Sequence, residues 1–319
     1  MQAVFFDAID TLRVGTTDIP EHGDDEVLLK VHSAGICGTD LHILKGEYGR
    51  YFPVIPGHEF SGEVVEVGKN VTRLVPGDRV TVHPGAGYGV SAPGGFEDFV
   101  KVRERNAFKI GDLSYDEGAL VEPLACVING IDTVGVNIGD EVLVVGAGPI
   151  GLLLMQVAKL AGAQSVAVAD IATEKLTKAK ELGADEVFDA SHNLKEQLLD
   201  AHPRKFHLTI DATGNPSAQE QMLGFTKWGG KFLLFGVAAP DATMTVEPYD
   251  IFYRELKIVG VHSFGSKFER AIGLAKSRRV NLTEIISHHF PLVQFPDALD
   301  LIHSPEPSFK ILMHPDGDA

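Results

Sequence analysis

The rhythm of apolar and polar residues changes about a third of the way along this chain. In the first part, apolar positions recur every second residue. Asp25 to Ser33 (Asp-Glu-Val-Leu-Leu-Lys-Val-His-Ser) alternates as a half-buried strand. Phe60 to Val67 and Asp78 to His83 repeat the pattern, with Gly68-Lys69-Asn70 and Pro76-Gly77-Asp78 as turns between them. One short helix is predicted, Thr39 to Lys45. Strands with so little helix predict a compact β-barrel-like domain. From about Glu117, strands and helices alternate instead. Val142–Val145 leads into a helix ending at Leu160, and Val166–Asp170 into a helix over Glu174–Leu182 closed by Gly183. Glu186–Phe188 follows. The second half repeats this: strand 208–211, helix Ser217–Lys227, strand Lys231–Val237 and strand Leu256–Val261. Two successive βαβ halves predict a doubly wound parallel sheet. After His262 the pattern weakens to one helix, Phe268–Ser277, and a mixed tail. That tail is too small for its own core and is expected to pack back onto the first domain.

The strongest local signal sits at the first strand of the second part. Val142-Leu143-Val144-Val145 breaks into Gly146-Ala147-Gly148-Pro149-Ile150-Gly151 and enters a helix. Gly146 permits the tight turn, Gly148 lets the backbone approach a pyrophosphate, and Gly151 lets helix and strand pack closely. Unpaired N–H groups at the helix start then face the phosphates. Asp170 ends the next strand about 20 residues on, where a carboxylate bonds the adenosine ribose hydroxyls. This context predicts a bound dinucleotide. Asp211-Ala212-Thr213-Gly214 and Phe235-Gly236-Val237 end later strands on the ligand-binding side of such a sheet. Thr213, Gly236 and Val237 are therefore expected to border the nicotinamide.

Composition narrows the picture. At 319 residues and 44% hydrophobic, the chain is ordinary and globular, with room for two domains. A net charge of −16 with no basic cluster excludes a nucleic-acid partner. The two cysteines, Cys37 and Cys126, form no disulfide framework, which fits a reducing cytoplasm. Cys126 is read as core. The first residues carry no basic signal region, and the apolar run Val142–Met155 is too short for a membrane span. A cytoplasmic location is expected, with no membrane partner.

Four potential metal ligands lie in the first domain and at its boundary: Cys37, the pair His58-Glu59, and Glu122. Thiolate, imidazole and carboxylate together suit tetrahedral Zn²⁺ with an open position. Taken singly, each has another reading. Cys37 is a small buried hydrophobe, His58 a turn histidine, and Glu122 a carboxylate favoured by a helix dipole.

Several motifs occur in one order: Gly35-Ile36-Cys37-Gly38-Thr39-Asp40-Leu41-His42-Ile43, Pro56-Gly57-His58-Glu59-Phe60-Ser61-Gly62, Gly94-Gly95-Phe96-Glu97-Asp98-Phe99, Glu122-Pro123-Leu124 and the glycine turn. Through nearly its whole length the chain resembles the zinc-dependent medium-chain alcohol and polyol dehydrogenases, closest to the sorbitol/polyol branch. The resemblance implies an α/β protein of two domains. Residues 1–122 and 263–319 would form a GroES-like, β-rich catalytic domain. Residues 123–262 would form an NAD-binding Rossmann domain with a doubly wound, six-stranded parallel sheet. It implies that Cys37, His58 and Glu59 bind one catalytic zinc, with Glu122 as fourth ligand or holding the metal's water; Glu59 and Glu122 exchange these roles within the family. Thr39 and His42 match the family's proton relay, and Phe96 a substrate-pocket aromatic, with core packing as the equal alternative. The implied reaction is hydride transfer from a polyol or secondary alcohol to NAD, giving a ketose or ketone. A homo-oligomer, dimer or tetramer, is also implied.

One departure stands out. The family's lobe of four cysteines around a structural zinc is absent. His83 to Pro93 crosses that region without a cysteine, so a second thiolate-bound zinc is excluded. Asp170 favours NAD, since a 2′-phosphate would meet a carboxylate and neither Ile171 nor Ala172 offers an arginine. His288-His289, before Phe290-Pro291-Leu292, are assigned no metal role. Two competing readings are a metal-free, NADPH-dependent quinone or enone reductase and a non-catalytic nucleotide-binding protein on the same fold.

Overall fold

A computed structural model describes residues 1–49, 51–315 and 317. The chain divides into two units: Met1–Pro123 with Phe268–Arg278 and Leu282–Ala319, and Leu124–Lys267 with Arg279–Asn281.

The first unit begins with β1 (Gln2–Ala8), β2 (Thr11–Thr16), β3 (Glu26–Gly35), α1 (Gly38–Leu44), β4 (Glu59–Val67), β5 (Arg79–Val82), β6 (Phe99–Arg103), β7 (Ala107–Lys109) and α2 (Tyr115–Ala119). The helix α3 (Val121–Val134) follows. β3 was expected to be half-buried, yet Val27, Leu28, Leu29, Val31 and Ala34 are all buried. The cause is its place in the sheet, where β4, β6 and a strand of the C-terminal tail all pair with it. Segment 83–93 closes on itself in a short turn, with Gly87 and Gly89 at positive φ and the Gly89 N–H bonded to the Ala92 carbonyl at 2.8 Å.

The second unit runs through β8 (Glu141–Val145), α4 (Pro149–Leu160), β9 (Ser165–Asp170), α5 (Thr173–Glu181), β10 (Glu186–Asp189), α6 (Leu194–Ala201), β11 (Phe206–Asp211), α7 (Pro216–Phe225), β12 (Thr226–Leu234), α8 (Pro248–Tyr253) and β13 (Lys257–Gly260). All neighbours are parallel, in the order β10-β9-β8-β11-β12-β13. This is the doubly wound six-stranded sheet. The winding direction reverses between β8 and β11, and ligands bind such sheets at that crevice. Val142, Leu143 and Val144 are fully buried there, as their apolar run requires. Two boundaries differ from expectation. α7 stops at Phe225 because the Thr226 hydroxyl engages Thr209 and the Met222 carbonyl, both at 2.8 Å, which turns the chain into β12. β12 stops at Leu234 because the N–H groups of Phe235 and Gly236 both turn to the Asp211 carbonyl.

The tail carries α9 (Phe268–Lys276), β14 (Ile286–Pro291), α10 (Phe295–His303) and β15 (Lys310–His314). It completes the seven-stranded sheet of the first unit, in the order β14-β15-β3-β4-β5-β7 with β6 on β3. Phe295 of α10 packs at 5.0 Å from Phe96 and 6.1 Å from Phe6. Of the two readings of Phe96, this placement is the core-packing one. Its ring is fully buried in the apolar core, where burial of so large a side chain is worth roughly 1.5–3 kcal/mol.

Glu97, next to it, is 2% exposed, and its Oε1 has no hydrogen-bond partner. Burial, helped by the Asp98 charge, pushes its carboxyl up to about 9. The native state therefore keeps a proton that the unfolded chain releases above about pH 4.5, and stability falls as pH rises through that window. Glu97→Gln should match the parent near pH 5 and exceed it by a few kcal/mol near pH 8. Urea unfolding at the two pH values checks this; a pH-independent difference would contradict it.

Candidate active site

The β3–β4 register builds the first part of the site. Gly35 pairs with Glu59 across the ladder, so Cys37, just past the end of β3, meets His58 and Glu59 at the start of β4. Among the described residues, one group of possible ligands is Cys37, His58 and Glu59, whose ligand atoms all lie within 4.8 Å of one another. A Cβ at Gly35 would overlap the Glu59 carboxylate, which explains glycine there. Cys37 occupies the N-cap of α1, and its backbone N–H donates to Asp40 Oδ2 at 2.9 Å. Thr39 therefore lies inside the helix and is not its cap. Asp40 Oδ1 lies 3.4 Å from His58 Nδ1. Both residues are buried. Burial pushes the His58 imidazole down, but the Asp40 carboxylate and Cys37 together outweigh it and hold it well above its ordinary value.

Glu59 is the most constrained member. It is fully buried, and its Oε2 accepts from Lys310 Nζ at 2.6 Å. Lys310, at the start of β15, is 4% exposed and also donates to the Ile36 carbonyl at 3.1 Å. Burial pulls this ammonium down, yet Glu59, then Cys37 and Glu122, raise it above its ordinary value. The other carboxylate oxygen, Oε1, is buried with no partner. An anionic oxygen left bare in a protein interior costs several kcal/mol unless a cation meets it. A thiol sulfur, an imidazole nitrogen and a carboxylate oxygen within 4.8 Å of one another, with one oxygen of that carboxylate bare, fit a zinc ion.

Glu122, in the first turn of α3, is buried but lies outside the three-residue group. Thr39 and His42 are both partly exposed on α1, three residues apart, and His42 Nδ1 lies 2.6 Å from Glu47 Oε2. Asp40 and Lys310 were not foreseen as site residues. Asp40 had a signal, since a carboxylate three residues after a cap position bonds that cap's N–H. Lys310 had none, because only sheet pairing brings it to Glu59.

The glycine turn lies at the C-terminal end of β8. Gly146 has φ +100°, and a Cβ at Gly151 would overlap the Gly146 carbonyl. Gly148 is the N-cap of α4, with Pro149 and Ile150 opening the helix, and a Cβ on it would project into open space. That space belongs to a cavity of about 740 Å³ bordered by Gly146, Gly148, Asp170, Ile171, Lys175 and Thr213. Asp170 is fixed there. Its Oδ2 accepts from the Ala147 N–H at 2.7 Å, and its Oδ1 from the Ala172 N–H at 2.9 Å. A cradle of bare backbone beside an anchored carboxylate fits a dinucleotide. Gly236 and Val237 are not among the residues bordering this cavity. Gly236 packs against the Asp211 carboxylate and Gly214, while Val237 is exposed.

Residues 23–112 match the model of the alcohol dehydrogenase GroES-like domain, and residues 149–277 that of the zinc-binding dehydrogenases. The chain is 38% identical to D-altritol 5-dehydrogenase of Agrobacterium fabrum strain C58, over 83% of this chain and 85% of that one. The chain belongs to the zinc-dependent medium-chain dehydrogenases, in their sorbitol-dehydrogenase-like branch. Sheep (Ovis aries) sorbitol dehydrogenase is 36% identical over 91% of this chain and 89% of its own. Among solved structures, a Sinorhizobium meliloti 1021 protein bound to NADP superposes with a TM-score of 0.92. It is 33% identical, and 98% of this dehydrogenase and 99% of that chain are covered. An Escherichia coli CFT073 alcohol dehydrogenase complexed with NADH gives 0.90 at 29% identity, covering 98% and 99%.

Lys310→Met should leave the Glu59 charge buried without its cation. Breaking such a pair costs about 3–5 kcal/mol. Denaturant unfolding of metal-free protein measures this, and Glu59→Gln added to Lys310→Met should recover much of the loss. A single variant as stable as the parent would show that the pair is not buried in solution.

Proposed function

We propose that this chain is an NAD-dependent dehydrogenase that oxidises a polyol or related secondary alcohol to the ketose or ketone, with one zinc at Cys37, His58 and Glu59. The observation that carries the reading is the bare Glu59 Oε1 inside a Cys–His–Glu group. The names of the relatives support the substrate class: D-altritol, D-arabinitol and sorbitol dehydrogenases all act on polyols. Bound zinc supplies Lewis acidity that makes an alcohol hydroxyl acidic near neutral pH, and a bound nicotinamide supplies the hydride acceptor.

The chain's own residues do the rest. Lys310 turns Glu59 so that Oε2 is satisfied and Oε1 is free for the metal. Asp40 faces Nδ1 of His58 and so reserves the other ring nitrogen for coordination. Glu122, buried in the first turn of α3, would supply a carboxylate near the site to orient the substrate hydroxyl. Thr39 would accept the hydroxyl proton while releasing its own toward the cofactor ribose, from which His42 would pass one to solvent, with Glu47 holding the imidazole. Gly146 to Gly151 seat the pyrophosphate, and Asp170 takes the ribose hydroxyls. Its fixed negative charge disfavours a 2′-phosphate, which supports NAD over NADP. The chain acts on free small molecules, and among the described residues no helix is long and apolar enough to cross a membrane.

A polyol and secondary-alcohol panel with NAD, on zinc-replete protein, tests the reading. Cys37→Ser should release the metal from this site and lower turnover at least about a thousandfold, ~4 kcal/mol of barrier. Metal-free protein that reduces enones with NADPH would overturn it. Asp170→Ser should shift the NAD-to-NADP preference in kcat/KM by about tenfold or more, ~1.4 kcal/mol. A parent enzyme that already prefers NADP would contradict the role of Asp170.

A further inference from the structure

The first unit holds a second group of metal-ligating side chains among its described residues: Asp116, His289 and His314, all within 4.8 Å of one another. They come from three separate segments. Asp116 lies in the first turn of α2, His289 on the edge strand β14 and His314 at the end of β15. The parallel register sets His289 opposite Leu312, two residues before His314, so both imidazoles stand on one face of the sheet. His289 Nδ1 and His314 Nε2 face each other at 2.9 Å. Asp116 closes the triangle, with Oδ1 at 3.6 Å from His314 Nε2 and Oδ2 at 3.9 Å from His289 Nδ1.

We propose that Asp116, His289 and His314 form a second site for a divalent transition metal ion, zinc in the first place. Two ring nitrogens that face each other must share a proton or share a cation, and a carboxylate at the third corner favours the cation. A tetrahedral zinc with bonds of about 2.0–2.1 Å spaces its ligand atoms roughly 3.3–3.4 Å apart. The two imidazole nitrogens are closer than that and the carboxylate, through one oxygen to each ring, is slightly farther, so small side-chain rotations admit the ion. Two imidazoles with one carboxylate select a borderline transition ion over Ca²⁺ or Mg²⁺, which prefer all-oxygen sites. The site contains no sulfur, so the scarcity of cysteines in this chain does not bear on it. His314 is 9% and His289 40% exposed as side chains. The buried half therefore fixes the geometry, and the exposed half leaves a position for water. An ion here ties the edge strand β14 to β15 and α2, so it acts as a staple of this domain. It lies apart from Cys37, His58 and Glu59. Lys310, which serves that group, stands four residues before His314 on β15, roughly 13 Å along the strand.

Cobalt distinguishes the two sites, because only the Cys37 site gives a thiolate-to-cobalt charge-transfer band. Stripped wild-type protein titrated with Co²⁺ should take up two ions per chain, one with that band and one with weak visible bands only. His289→Ala should keep the band and the dehydrogenase turnover while losing the second ion. Asp116→Asn should weaken the second ion at least about tenfold; this variant answers the question even if His289→Ala folds poorly. Zinc should raise the melting temperature of Cys37→Ser but not of Cys37→Ser with His289→Ala. The proposal fails if wild-type protein holds a single cobalt, or if both variants keep two.

Discussion

The catalytic half of this structure depends on a carboxylate that has been taken out of water and given only half of what it needs. Glu59 is fully buried, and Lys310 satisfies one of its oxygens. A buried ion pair of this kind is weak support for stability as such, since desolvating both charges costs about as much as their attraction returns. Its value is orientational. With Oε2 held by Lys310, the carboxylate of Glu59 is anchored in the group it forms with Cys37 and His58, and Oε1 is left without a hydrogen bond. Asp40 faces His58 in the same way, as a charge 3.4 Å from Nδ1. The two candidate ligands next in sequence thus each face a partner from an unrelated part of the chain, one from α1 and one from the last strand.

The last strand connects fold to function in a second way. β15 pairs with β3 in the centre of the sheet, so the C-terminal tail is needed to complete the domain that begins at the N-terminus. It delivers Lys310 to one cluster and His314 to another. The second unit is organised by a different constraint, close backbone approach. Gly146 and Gly151 touch, Gly148 faces open space, and Asp170 is tied to the turn through the Ala147 N–H. The glycine turn and the Asp170 carboxylate are therefore one hydrogen-bonded piece.

What was legible in the sequence follows from how local each signal is. The doubly wound sheet was readable because its strands are short apolar runs ended by glycine turns, and the turn at Gly146 carries its own stereochemical reason. Cys37, His58, Glu59 and Glu122 were individually ambiguous, and only the order of several motifs joined them. The structure brings the first three together and leaves Glu122 outside. Phe96 followed two glycines and lay within a family motif, but its ring meets Phe295 from a helix 199 residues away in number, a contact that no local pattern encodes. Lys310, Asp116, His289 and His314 were silent for the same reason. Lys310, His289 and His314 are placed by β-sheet register in a tail whose periodicity is weak, and Asp116 is brought to the two histidines from helix α2. Thr226 and Asp211 moved element ends by side-chain and carbonyl bonds that outweigh propensity.

The proposed reaction depends on Lys310 holding Glu59 so that Oε1 meets a zinc ion shared with Cys37 and His58. Anomalous scattering at the zinc edge, from crystals of the wild-type protein, tests it most directly. A peak is expected bonded to Cys37 Sγ, a ring nitrogen of His58 and Glu59 Oε1, with Oε2 still on Lys310. Absence of a peak at that position in zinc-replete crystals, or a zinc there with Glu59 turned wholly to Lys310, would contradict it.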